Sequence, residues 1–264
     1  MTWVVGSNVP LGYGIVISDT CVTFGNGATR DMVQKSYPVA ENIIAGFAGG
    51  VKNGFILLED LSRFLYQPDP DRGWDPEWVA EKWSGNAMRI YENNPSYDKS
   101  METHILLTGS HPNLDIGIPG CAKMIGAILK SPDFHPEFYF GNIDFYSIGS
   151  GNYEENCQRV IAEIRQDWPK LMQAEVGNLG GFGLLLENII NNALYRNPVD
   201  GISSYLHHFI VGRKYLRGGV RTRKDYLPDG SEFEHPRPHV ATSWPEFTKM
   251  VNDIAGARAD SAIG

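Results

Sequence analysis

The sequence predicts an α+β protein in which paired helices cover packed sheets. The chain opens on short β-rich runs separated by tight turns, its helical periodicities come in adjacent pairs, and its coarse order is strands, two helices, strands, two helices, strands. A doubly wound parallel fold would alternate strand and helix singly, so antiparallel layering is the better expectation.

The elements follow in order. VVGSNVPLGYGIVISDTCVTFG, from Val4, reads as two β-runs around a Pro-Gly-containing turn, a third run spans residues 29–37, and NIIAGFAGG is a fourth. From Val51 the period changes: Phe55, Leu58, Leu61 and Leu65 recur at spacings of three and four, a buried helical stripe ending before Pro68. Asp75, with Pro76 at the first helical position, opens a second helix whose apolar side is Trp78, Val79, Trp83, Ile90 and Tyr91. HILLTG, AKMIGAILKS and FYFGNIDFYSIGSG are β-like. NYEENCQRVIAEIRQDW and GLLLENIINNALYR are helical, and YLHHFIVGRKY is again a strand. SEFEHPRPH reads as an extended loop, and Ser243-Trp244-Pro245-Glu246 as a capping-box opening to a final helix of about three turns.

With 20% charged and 42% hydrophobic residues the composition is that of a globular protein, which excludes a disordered chain, a collagen-like repeat or a coiled coil. A net charge of -8 argues against general attraction to nucleic acid or an anionic membrane. Arg213, Lys214, Arg217, Arg221, Arg223 and Lys224 form one basic stretch, read as a solvated hairpin or subunit contact with a tight turn at Gly218-Gly219. Cys21, Cys121 and Cys157 are odd in number and lack CxxC spacing, which suits reduced thiols. With neither a signal-like N-terminus nor a long apolar run, the expected location is cytoplasmic and the native N-terminus is expected near Thr2. His207 and His208 alternate across a strand, and Pro236 and Pro238 stiffen the loop holding His235 and His239. No metal and no cofactor is therefore expected.

Thr2 directly follows Met1. Removal of Met1 would give it a hydroxyl and a free α-amine, a nucleophile with its own base, and an α-amine ordinarily titrates at about 7.7–8.0. Such a nucleophile needs a cation to lower its proton affinity, a carboxylate to hold that cation, and donors for an oxyanion.

ISDTCVTFGNG, then Lys35, then IIAGFAGGVKNGF, YSIGSG and VDGISS look like the successive motifs of proteasome β-type subunits and the bacterial HslV peptidase, in the family's order. The resemblance runs from Thr2 to about Phe209, and IAGFAGG followed by a helix is its most specific piece. It implies a four-layer αββα sandwich, the N-terminal nucleophile hydrolase fold, with two packed antiparallel sheets flanked by helix pairs. On that reading residues 1–212 form the hydrolase domain, and residues 213–264 are a C-terminal extension packed on it. Thr2 matches the family's nucleophile, Asp19 its buried aspartate, Lys35 its active-site lysine, Gly49 its oxyanion-hole glycine and Ser150 its supporting serine. Asp200 and Ser203 match its D-x-x-S pair. The interval from Thr2 to Asp19 is one residue longer than the family's, which a hairpin insertion at Pro10–Gly12 would absorb while keeping Asp19 on its strand face.

Each residue also has a structural reading. Asp19-Thr20 can cap a turn, Lys35 can face solvent, the AGG can be a strand-to-helix turn, and Gly149-Ser150-Gly151 can cap a helix. By the same alignment Val22, Val33, Phe47, Val51 and Phe55 would line the pocket for the side chain before the scissile bond, implying a neutral apolar residue there, and a core role explains each of them equally well.

The function implied is a self-compartmentalising threonine endopeptidase acting on peptides or unfolded protein through a Thr2 acyl-enzyme. Its expected company is homo-oligomeric stacked rings and a separate ATPase unfoldase or cap, with Trp74, Trp78 and Trp83 on a helix that serves either subunit contacts or plain core packing. Two alternatives stand beside it. A catalytically silent ring subunit is suggested by the bulk of Trp3 next to the nucleophile. An amide hydrolase for small metabolites could use the same fold.

Overall fold

β-Branched runs become the central strands of two sheets, whose two faces are both covered, and the helical stripes supply the outer cover. The structure, a computed structural model, describes residues 2–9, 11–66, 73–141, 144–175, 179–220, 224–226, 229, 231–234 and 237–261. Met1, Pro10, Pro68, Arg221, Arg223, His235 and Pro236 lie outside the described residues.

The element order is β1 (Val4–Val9), β2 (Tyr13–Asp19), β3 (Cys21–Thr23), β4 (Thr29–Asp31), β5 (Ser36–Ala40), β6 (Ile43–Gly49), α1 (Val51–Phe64), α2 (Pro76–Asn93), β7 (Thr103–Asp115), β8 (Ala122–Lys130), β9 (Glu137–Tyr139), β10 (Phe145–Ile148), α3 (Glu155–Glu175), α4 (Leu179–Arg196), β11 (Leu206–Gly212), β12 (Tyr215–Val220), β13 (Lys224–Tyr226), β14 (Glu232–Glu234) and α5 (Trp244–Ser261). The chain is thus mixed α+β. One five-stranded antiparallel sheet runs β10-β1-β2-β11-β12, a second runs β5-β6-β7-β8-β9, and β3-β4 and β13-β14 are two-stranded ribbons.

Strand alternation divides the apolar residues among three cores. Val5, Ile15, Ile17, Leu206 and Ile210 meet Val160, Ile164, Leu186 and Ile190 of α3 and α4. Ile43, Ala45, Ile105 and Leu107 meet Leu57, Leu61, Val79 and Trp83 of α1 and α2. Residues of the opposite parity, Val4, Val16 and Val211 from one sheet and Ile44, Leu106 and Ile128 from the other, pack together between the sheets. Tyr146 crosses that gap: its hydroxyl is 2.7 Å from Thr108 Oγ1 and donates to Asn8 Oδ1 at 3.0 Å.

Several local expectations need correction. The run at 29–37 is two strands in different sheets, β4 and the start of β5, and HILLTG is part of a 13-residue strand. Gly218-Gly219 is no turn. Both lie inside β12, opposite Phe209 and His208, and the chain reverses at Arg213-Lys214. Glycine is needed there because a Cβ would fall 2.4 Å from Phe209 Cε1 at Gly218 and 2.7 Å from His208 Cε1 at Gly219. Part of SEFEHPRPH pairs as β14. Trp74 precedes α2; it stacks with Trp78 and Phe64, whereas Trp83 is fully buried, its indole N–H donating to Asp60 at 2.8 Å. The last helix has 18 residues, well beyond three turns. Among the described residues no helix is long and apolar enough to cross a membrane.

Candidate active site

The β1–β2 ladder runs in unbroken register from Val4↔Ser18 to Val9↔Tyr13, with Leu11 and Gly12 at positive φ in the connection. That register sets Asp19 beside the chain entry: Trp3 N donates to Asp19 Oδ1 at 2.8 Å, and Asp19 N donates to Trp3 O at 3.1 Å. Lys35, just before β5, donates to both Asp19 oxygens at 2.9 and 3.0 Å and also to Cys21 O. Cys21 N supplies a further donor to Asp19 Oδ2 at 3.0 Å. Lys35 and Asp19 are 1% and 0% exposed, so each charge is tolerated only because the other and the backbone donors replace water.

Thr2 is held from the other side by the turn after β10. Its nitrogen donates to Ser150 Oγ at 2.9 Å, while Ser150 Oγ and Gly151 N donate to Thr2 O at 3.4 and 3.1 Å. Gly149 has φ +92, and a Cβ there would sit 2.2 Å from Thr2 O, so the turn can embrace Thr2 only with glycine at this position. Alternation sends Trp3 the opposite way, under Gly151 and into the core with α3 and α4, 2% exposed. The indole therefore does not crowd Thr2.

Thr2, Lys35, Gly49 and Ser150 line one cleft of about 740 Å³. Gly49 ends β6 at φ +100, where a Cβ would lie 1.9 Å from Glu102 O. Of the expected pocket residues Val22, Phe47 and Val51 line the cleft, whereas Val33 and Phe55 are in the core behind it. Ser203 is buried, and its Oγ accepts from Tyr205 N at 2.8 Å. The link onward runs through Tyr205, whose carbonyl accepts from Thr20 Oγ1 at 3.4 Å. Asp200 is exposed, and among the described residues no hydrogen bond joins it to Thr2, Asp19 or Lys35. Burial pushes the Cys21 thiol above its ordinary pKa, so this sulfur at the cleft stays protonated and a poor nucleophile. Burial likewise raises Cys157 to about 12. Among the described residues no group of three or more His, Cys, Asp or Glu is placed to hold a metal ion.

Sequence reasoning missed the far wall. Trp244, Phe247 and Val251 of α5 also line the cleft. Their spacing of three and four was the available signal, but without a counterpart in the resembling family it pointed nowhere.

The arrangement joins a hydroxyl, the nitrogen of the same residue, a buried ammonium and a small residue at the cleft, a set suited to nucleophilic acyl transfer. Compared with protein-family models the chain matches none, and no curated protein matches it.

Proposed function

We propose that the protein is a proteasome-like threonine peptidase with the αββα N-terminal nucleophile hydrolase fold, cutting amide bonds through an ester on Thr2 once the Met1–Thr2 bond is cleaved. The observation that carries the reading is the meeting of Thr2, tied to Ser150, and the Asp19-locked Lys35 at one cleft. Three cores alternating with two sheets and two helix pairs support the fold assignment.

In this reading the Thr2 hydroxyl attacks the substrate carbonyl carbon, and its proton passes to the Thr2 α-amine. Lys35 stabilises the alkoxide while Asp19 holds the ammonium in place. The carbonyl oxygen becomes an oxyanion beside Gly49. The C–N bond then breaks as the α-amine returns the proton to the leaving amine, and water hydrolyses the ester.

The test is mass spectrometry of the purified protein. Intact mass should lack Met1, and a β-lactone or epoxyketone inhibitor should add its mass to the Thr2 peptide. The Thr2→Ala variant should take up no label and lose peptide hydrolysis by at least about 10³-fold. A fully active Thr2→Ala protein would refute the proposal.

A further inference from the structure

The segment after β14 is fastened beside the site before it becomes α5. Ala241, fully buried, forms a parallel bridge with Val33: Ala241 N donates to Met32 O at 2.8 Å, and Gln34 N donates to Ala241 O at 3.1 Å. That bridge lies immediately before Lys35 in the chain. Glu246 then fixes the helix start by accepting from Thr242 N at 2.7 Å and Thr242 Oγ1 at 3.0 Å, and Lys52 of α1 lies 5.8 Å from the Trp244 ring.

From this anchor Trp244, Phe247 and Val251 line the cleft together with Val22, Phe47 and Val51. A hollow of about 200 Å³ continues between Val251, Ile254 and Phe24. Both walls are apolar. The charged residues at the cleft, Lys35, Lys52, Asp98 and Glu102, belong to neither set, although Lys52 adjoins Val51 and Arg30 borders the hollow.

We infer that α5 is the second wall of a side-chain subsite beside Thr2, and that Trp244, Phe247 and Val251 select a large uncharged side chain, aromatic by preference. That this side chain sits on the acyl side of the cleaved amide rests on the proposed function; the subsite itself does not. Apolar area removed from water favours the larger side chain, and a carboxylate set against six mainly apolar side chains would give up more hydration than those side chains replace.

The test is binding to the full chain carrying Thr2→Ala, which prevents turnover. Acetylated tripeptide amides ending in phenylalanine, alanine or glutamate are titrated, and binding is read by isothermal titration calorimetry. The phenylalanine peptide should bind at least about tenfold more tightly than the other two. Phe247→Ala should erase that preference. Phe247 is mostly buried, so Val251→Arg and Trp244→Ala, at partly exposed positions, repeat the test without emptying the core. Equal binding of the three peptides, or a preference that survives both Val251→Arg and Trp244→Ala, would overturn the inference. A preserved preference in a protein whose Thr2 takes no β-lactone would remove the peptidase and leave the subsite standing; a labelled Thr2 without the preference would do the reverse.

Discussion

At the scale of single residues, the feature with most at stake is the Lys35–Asp19 pair. Removing one partner of a buried ion pair costs about 3–5 kcal/mol, whereas removing both charges leaves nothing uncompensated. Lys35→Met should therefore lower stability by that amount in urea unfolding, and Lys35→Met combined with Asp19→Asn should cost less than Lys35→Met alone. A double variant as unstable as the sum of the singles would show that the two residues are not coupled. His207 offers a second prediction. Burial, then the neighbouring His208, lowers its pKa from 6.5 to about 4, so the unfolded chain binds the proton more readily than the folded one. The stability this contributes is present above pH 6.5 and is lost as pH falls towards 4, by about 3 kcal/mol at most. His207→Gln should flatten the stability profile between those pH values; an unchanged slope would assign the loss to other groups.

At the scale of elements, legibility depended on whether local pattern and tertiary context agreed. Asp75-Pro76 announces a helix start, and the structure has Asp75 accepting from Glu77 N at 3.0 Å. The stripe Phe55, Leu58, Leu61 reads as α1 because those spacings occur only on a helix with one buried face. The Asp19–Lys35 contact followed from motif order alone. Gly218-Gly219 misled for a physical reason: glycine pairs mark turns when their backbone is special, but here they are small because Phe209 and His208 lie across the ladder. Close approach of side chains from another strand leaves no local trace. Gly218→Val should accordingly displace Phe209 and cost about 1–3 kcal/mol, read as a lowered melting temperature, whereas a variant in the solvent-facing Arg213-Lys214 turn should cost less than about 0.5 kcal/mol if the Arg213–Asp115 pair is kept, as in Lys214→Gly. The wall formed by α5 was illegible for a related reason, since a stripe tells that a face is covered without telling by what.

At the scale of the whole molecule, the candidate site draws on separate layers. Thr2 enters at the end of β1 and Ser150 follows β10 in one sheet, Lys35 and Gly49 flank β5 and β6 in the other, and α5 arrives from outside both. Neither sheet holds the set alone, so the arrangement exists only when the two pack face to face. Whether that cleft opens to bulk solvent or into a closed chamber decides between a peptidase of rings and a hydrolase of small amides. The ring reading predicts that light scattering on the eluting protein gives a large multiple of the chain mass, and that hydrolysis of a short fluorogenic peptide elutes with that species and not with free chain. It further predicts that a folded, compact protein substrate survives incubation while its unfolded form is cut, because entry to a chamber requires an extended chain. Full activity in a monomer, with folded and unfolded substrates cut at equal rates, would reject the chamber and leave the small-amide reading, since the cleft would then be reached from open solution.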